Sequence, residues 1–420
     1  MSSKNIKIDP INTLPKALKY PAKFVRHQEQ AAGLSTSRFI QDVTTSLLPK
    51  AVFSRSKEDL AENIFLEGAE ETLIYFTPAI LGQQVARRGF SKGLSEGLKK
   101  EVATTGVELI EKAKNSSIVK SNNKEVLPVK AAIALTAMAI PLTEFTLSYF
   151  KNLMTLKVFK KSDFKNIASL ENSQEDVEHQ KKVEKSAKEH IAGAGLAFAG
   201  CLGLAGLLAL KGKKSPALQK VSEFIVAPGS TLFKKNEKAK NFVNKYFCMD
   251  FNSQNGKLVL SKGQLTTCVL MGGAGYFGAA SDRGKENLKE VATRFPLVGF
   301  YVITGSELVE KGFKKILHKA GKCKDLIGKD LSVPKFEELP KLAEKLAKDR
   351  KTNFDKEYTS LAKQKVLISG LPFLFSIGVM GFFVAGMTNH FTKVRYQNEK
   401  KQQRTVQDII DKEDVGKVEK

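Results

Sequence analysis

The stretch Val366–Met387, VLISGLPFLFSIGVMGFFVAGM, is 22 residues long and carries no formal charge. As a helix rising about 1.5 Å per residue, it is long enough to cross the roughly 30 Å hydrocarbon core of a bilayer. Lys363 and Lys365 precede it, and Lys393 and Arg395 follow it. This stretch therefore predicts a transmembrane helix.

Four further apolar runs, residues 131–150, 191–210, 265–281 and 295–310, predict additional spans. The last two are short, which favours shielding by neighbouring helices. Another run, residues 64–81, carries three Glu in its first half and predicts an interfacial, re-entrant or spanning helix. The predicted fold class is therefore an all-α membrane protein, a multi-pass helical bundle of about five spans, or six if that run crosses.

The polar segments complete the organisation. The connector 211–264 contains Asn255-Gly256 between strand-like runs, which predicts one small β-hairpin. Lys and Arg are unequally shared between the two sets of connectors, and this predicts a cytoplasmic N-terminus. The predicted segments are a polar N-terminal region (1–63), the run 64–81, a polar helical connector (82–130), the membrane bundle (131–310) with connectors 151–190 and 211–264, basic amphipathic and soluble helices (311–365), the final span (366–387) and a charged tail (388–420).

The formal net charge of +24 reflects 68 Lys and Arg against 44 Asp and Glu. Such a charge favours an acidic partner, either nucleic acid or an anionic membrane surface. The basic residues are spread over every polar segment without a nucleic-acid-binding motif, so anionic lipid is the predicted partner and nucleic acid is not expected. The absence of Trp departs from the aromatic belts usual at membrane interfaces.

Two carboxylates in the apolar runs are candidate functional groups. A carboxylate inside a span is costly, and it usually faces a cavity, a partner or a proton path, which makes Glu144 the leading candidate. Glu144 is also only seven residues from Lys151, about 10 Å along a helix, so an interfacial position is the alternative. Glu307 ends its run and is expected at the interface. Glu67, Glu70 and Glu71 form a helix-face cluster, for which a solvated face is favoured over a cation site.

Small residues in the run 191–210 predict close helix packing. Gly193, Gly195, Ala199 and Gly203 lie on stripes with a four-residue period. Small residues at this spacing let the backbones of membrane helices approach each other. We therefore expect this helix to form the packed centre of the bundle, with a merely Gly- and Ala-rich span as the alternative.

A basic amphipathic helix is predicted at residues 311–324. This segment contains six Lys and no acid, and its apolar residues fall on one helical face. Such a helix is typical of one lying on an anionic leaflet, with a simple solvated helix as the alternative. The predicted lipid-surface residues are Lys311, Lys314, Lys315 and Lys319.

The segment Gly273-Ala-Gly275-Tyr-Phe-Gly278 fits the dinucleotide-binding pattern G-x-G-x-x-G. These glycines are weak candidates for binding a cofactor, because the expected acid, Glu307, lies 34 residues after Gly273 and no further βα units surround the motif. No cofactor is predicted. The His and Cys residues show no metal-ligand spacing, so no metal site and no catalytic site are predicted.

Two functions follow from these patterns. The first is a membrane scaffold or assembly protein that binds anionic lipid or acidic partners, with other membrane proteins or a second copy of itself as further candidate partners. The alternative is a transporter or channel that uses Glu144 as its intramembrane carboxylate. A dinucleotide-binding enzyme is a remote third hypothesis.

Overall fold

Helices make up 82% of the structure, which confirms the predicted all-α class. The structure is a computed structural model, and the residues it describes are 9–30, 40, 42–88, 94–101, 116–254 and 257–418. The chain divides into two compact units: the small unit contains residues 1–41 and 300–380, and the large unit contains residues 42–299 and 381–420.

The elements are numbered in chain order. Before the strands lie α1 (Lys16–Gln30), α2 (Leu48–Val52), α3 (Lys57–Arg88), α4 (Glu96–Glu101), α5 (Ser117–Ser121), α6 (Asn123–Thr136), α7 (Ala139–Phe159), α8 (Phe164–Ile167), α9 (Val177–Lys211), α10 (Pro216–Val226), α11 (Pro228–Leu232) and α12 (Glu237–Phe247). Then follow β1 (Asn252–Gln254), β2 (Lys257–Val259), α13 (Lys262–Asp282), α14 (Lys285–Phe300), α15 (Ser306–Lys319), α16 (Leu339–Arg350), α17 (Phe354–Phe375) and α18 (Val384–Val418).

Three helical stretches of the described chain are long and apolar enough to cross a membrane: Asn123–Phe159, Val177–Lys214 and Phe354–Gln407. They contain the predicted spans 131–150, 191–210 and 366–387, so a membrane location is compatible with the fold. The shorter runs are also helical. Residues 265–281 lie in α13, and residues 295–310 run from α14 through a π-helical turn into α15.

The packed centre of the large unit is α7. Eleven of its residues are buried, and it packs against α3, α9 and α13. Inside the stretch Asn123–Phe159, 61% of the apolar window is buried, compared with 17% for the stretch Val177–Lys214. The expectation that residues 191–210 form the centre is therefore wrong. The small residues of α9 are not packed against another described helix, so much of α9 is exposed. The glycines of α13, in contrast, let the backbones of α13 and α7 lie close together.

Pro141 explains a break between α6 and α7. The two helices are separated by Ala137 and Met138, one turn before Pro141. Proline has no N–H to donate to the carbonyl four residues earlier, and its ring clashes with that carbonyl. The regular helical hydrogen bonding is therefore interrupted just before α7.

The two short strands pair antiparallel, with Asn252 opposite Val259. Asn255 and Gly256, which predicted the hairpin turn, lie outside the described residues. The next helix, α13, begins with a capping box, in which the side-chain oxygens of Ser261 and Gln264 each accept a hydrogen bond from the other residue's backbone N–H.

The small unit has its own core, built from α1, α15, α16 and α17. Buried members of this core include Ile11, Leu317, Leu339 and Leu361. Lys365, one of the lysines before the predicted final span, is buried here and pairs with Glu29 of α1. This lysine therefore stabilises the small unit rather than a membrane surface.

Candidate functional site

A buried ion-pair cluster joins α3, α7 and the end of α13. Arg283 donates to both carboxylate oxygens of Glu62, with 2.9 Å between Nη1 and Oε2. Glu62 also accepts a hydrogen bond from Thr155 Oγ1 at 2.5 Å and lies 3.7 Å from Lys151 Nζ. Burial raises the pKa of the Glu62 carboxyl, but the charges of Arg283 and Lys151 outweigh it and lower this pKa to about 2.

A second ion-pair group lies at the same end of the large unit. Arg55 donates to Glu290 Oε2 at 2.7 Å and to Glu290 Oε1 at 3.1 Å, and its Nε lies 3.1 Å from Asp59. Its guanidinium carbon is 5.1 Å from the ring centroid of Phe164. This group connects the start of α3 to α8 and α14.

Two carboxyl groups, Glu70 and Glu144, adjoin farther along the same helices. We call them the acid pair. Glu70 is eight residues after Glu62 on α3, about 12 Å along that helix. The two carboxyl groups lie within hydrogen-bonding reach of each other. Tyr276 of α13 donates its hydroxyl proton to Glu70 Oε2 at 3.1 Å.

Glu144 is deeply buried and incompletely paired. Only 9% of its surface is exposed, and its Oε2 has no hydrogen-bond partner among the described residues. Native proteins rarely leave a buried carboxylate oxygen without a partner, because its lost hydration is not replaced. The predicted leading candidate therefore lies at the packed centre of the large unit rather than at its surface.

The helix-face cluster of Glu67 and Glu70 is not the predicted solvated face. Glu67 is 4% exposed and pairs with Lys50, and it also accepts a hydrogen bond from Ser46. These partners could not be predicted from sequence, because α2 precedes the apolar run and Lys50 is one of many lysines in the chain.

The glycines of the G-x-G-x-x-G segment lie inside the continuous helix α13. A Cβ at Gly275 would collide with the carbonyl of Phe145, and a Cβ at Gly278 would collide with the Tyr149 hydroxyl. Gly273 faces the ring of Phe295 in the same way. A dinucleotide-binding loop instead needs a turn between a strand and a helix. In this structure the glycines therefore bring helices together.

Gly272 completes this contact beside the acid pair. A Cβ at Gly272 would lie 2.6 Å from Glu144 Oε1. The absence of a side chain at this position thus gives the Glu144 carboxyl its place between α7 and α13. The sequence pattern could have identified α13 as a packing helix, since Gly272 and Gly275 are three residues apart on one face.

The stripe on α9 has a different environment. A Cβ at Gly193, Gly195 or Gly203 would meet no heavy atom within 4 Å among the described residues, and Ala199 is exposed. The described part of the chain therefore does not make the close packing predicted for these residues.

The remaining predicted residues lie on α15 in the small unit. Glu307 is exposed in its first turn. Lys311, Lys315 and Lys319 are exposed, whereas Lys314 pairs with Glu310 at 2.6 Å. The helix directs Leu317 into the core of the unit, so part of its apolar face is used for folding.

The large unit also contains an apolar cavity of about 410 Å³, which the sequence did not predict. We call it the connector cavity, because helices of the connector 211–264 form most of its wall. Its lining is almost entirely apolar and comprises Ala134, Leu135, Met138, Phe224, Ile225, Pro228, Leu232, Val243, Phe247 and Met249.

Comparisons with known proteins give no match: no family model, no curated protein and no solved structure resembles the chain significantly.

Proposed function

We propose that the protein is a membrane-embedded scaffold whose large unit binds an anionic phospholipid. The stretches Val177–Lys214 and Phe354–Gln407 support membrane embedding, because only 17% of each apolar window is buried within the protein. Uncovered apolar surface of this extent is stabilised by lipid or by other membrane proteins rather than by water.

The connector cavity is the observation that carries lipid binding. It lies where the end of α6 meets α10, α11 and α12, and its apolar walls suit an acyl chain. Phe247 lines the cavity and is 42% exposed, and Phe242 on the same helix is also exposed. Helices with exposed Phe and abundant Lys typically lie in the membrane interface.

Two lysines beside this cavity suit an anionic headgroup. Lys245 and Lys262 lie 5.2 and 5.3 Å from the ring centroid of Tyr246, the residue before Phe247. Each lysine near a membrane surface contributes about 1 kcal/mol of attraction to anionic lipid. The phosphate would therefore lie by Tyr246 while one acyl chain enters the cavity.

Lipid mass spectrometry of the purified full chain tests this function. In nanodiscs of phosphatidylglycerol and phosphatidylcholine, the protein should retain phosphatidylglycerol preferentially. The double variant Lys245→Gln and Lys262→Gln should lose about 2 kcal/mol of this preference, or about 30-fold. Exposed Lys181 and Lys182 of α9 provide the matched control, changed to Gln together. Equal retention of both lipids by the wild type would refute the proposal.

We also propose that α3 and α13 cross the membrane beside α7. Arg283, at the end of α13, binds Glu62 near the start of α3, while Tyr276 and Glu70 meet farther along both helices. Both helices therefore follow α7 over at least 10 Å. This arrangement favours more spans than the three most apolar stretches alone.

Transport is a second candidate function, favoured by the unpartnered oxygen of Glu144 at the centre of the large unit. The test is flux through reconstituted vesicles. A transporter using this carboxylate should lose flux in Glu144→Gln and keep it in Glu189→Gln, which changes an exposed residue of α9. Flux that is equal in both variants would exclude this role.

A further inference from the structure

We propose that the acid pair is a proton-binding site, in which Glu70 and Glu144 together hold one exchangeable proton. This goes beyond lipid binding, and it holds whether or not the protein transports anything. A shared proton would supply the hydrogen bond that two ionised carboxylates cannot make to each other.

The geometry requires a way to remove one negative charge. Two carboxylates in contact repel each other, and the repulsion is strong where protein excludes water. Glu144 is nine-tenths buried and its Oε2 lacks a hydrogen-bond partner among the described residues, so no described donor compensates a full charge at that oxygen. Protonation of one carboxyl removes the repulsion and converts the contact into a hydrogen bond.

The cations around the pair compensate its charge only in part. Lys50 is engaged by Glu67, and Arg294 shares its surroundings with Glu290, Asp59 and Arg55. The titratable and charged groups facing the pair from neighbouring elements are Asp42, Lys50, Glu67, Tyr276 and Arg294. With both members ionised, this set has four carboxylates against two cations.

The two members differ in access. Glu70 is only partly buried, and Thr72 and Leu73 beyond it on α3 are exposed. Glu144 lies behind it against Gly272, where a side chain would meet its Oε1. Glu70 is therefore the outer member of the pair, at the exposed face of α3, and Glu144 is the inner member that shares the proton. The Tyr276 hydroxyl fixes the orientation of the outer carboxyl.

Infrared difference spectroscopy of the full chain in nanodiscs tests this directly. Between about pH 5 and pH 9, the wild type should show a protonated-carboxyl stretching band that shifts in D₂O. Glu70→Gln and Glu144→Gln should each abolish the band, because the shared proton needs the carboxyl groups of both residues. Glu189→Gln, in an exposed residue of α9, should retain it.

Tyr276→Phe separates hydrogen bonding from proton binding. Removing the hydroxyl should shift the band in frequency without removing it, because Glu70 loses one donor but keeps Glu144. The absence of a protonated-carboxyl band in the wild-type protein would by itself overturn the proposal. A band unchanged in either Gln variant would also overturn it, because the proton would then belong to the other residue or to another group.

Discussion

Arg283 and Glu62, 221 residues apart in the chain, form a two-pronged ion pair that joins the end of α13 to the start of α3. Arg283 is 1% exposed, so the pair is withdrawn from water. Buried ion pairs are tolerated only when hydrogen bonds and neighbouring charges satisfy them. Here Thr155 of α7 donates a hydrogen bond to Glu62, and Lys151 of α7 adds a positive charge beside it. The pair therefore sets the register of α3 and α13 against α7.

Replacing Arg283 should be strongly destabilising. Arg283→Met leaves the Glu62 carboxylate buried without its main partner, which typically costs about 3–5 kcal/mol in free energy of unfolding. Denaturant unfolding in detergent measures the loss. The control is Lys185→Met, which breaks an exposed pair with Glu189 and should change stability by less than about 1 kcal/mol. Equal effects of the two changes would contradict the assigned role of Arg283.

The glycines of α13 and α9 should respond oppositely to alanine. Gly275→Ala forces a Cβ against the Phe145 carbonyl and should destabilise the protein by about 1–3 kcal/mol. Gly203→Ala meets nothing within 4 Å and should be neutral or stabilising, by up to about 1 kcal/mol from helix propensity. Thermal unfolding measures both. A destabilising Gly203→Ala would indicate that the stripe of α9 packs against another molecule.

Acid should release the C-terminal helix α18 from the large unit. Glu171 accepts hydrogen bonds from Tyr396 at 2.7 Å and from Lys400 at 3.1 Å, and these donors lower its pKa to about 2. Because this pKa is below that of the unfolded chain, the contact is fully stabilising above about pH 4.5 and is lost as the pH falls towards 2. Pepsin cleavage near Tyr396 should rise over that range. In Glu171→Gln, cleavage should already be raised at pH 4.5, and a wild-type rate there would argue against the contact.

The lysines of α15 should contribute unequally to lipid binding. Changing exposed Lys311, Lys315 or Lys319 to Gln should each weaken retention of phosphatidylglycerol by about 1 kcal/mol. Lys314→Gln should weaken it less, because Glu310 already neutralises that ammonium at 2.6 Å. Lipid retention in nanodiscs distinguishes the outcomes. If none of the four Lys→Gln changes altered lipid retention, the alternative of a solvated helix would be favoured.

The membrane-compatible helices were predictable, because length and the absence of charge are local properties of the runs 131–150, 191–210 and 366–387. The centre of the fold was not. Whether α7 or α9 is surrounded depends on which neighbour presents glycines, and the glycines of α13 lie more than 120 residues from Glu144 in the chain. Local spacing instead suggested a nucleotide loop for them.

The candidate site was predictable in part for the same reason. Glu144 stood out as a carboxylate in an apolar run. Its partner Glu70 and the donor Tyr276 come from other helices, and no spacing in the sequence relates them. Glu62 and Arg283 were likewise inconspicuous, because a charged residue at a helix end normally faces water.

The central claim is that α3, α9 and α13 cross a membrane around α7, and side-specific cysteine labelling in sealed vesicles tests it most directly. The backbone N–H of Phe164 binds the carbonyl of Arg283 at 3.2 Å, so the turns after α7 and α13 adjoin. In a background without native cysteines, Asn172→Cys and Lys285→Cys should react with an impermeant maleimide from one side, and Lys235→Cys only from the other. Labelling of position 285 together with position 235, or of all three from the same side, would contradict this arrangement.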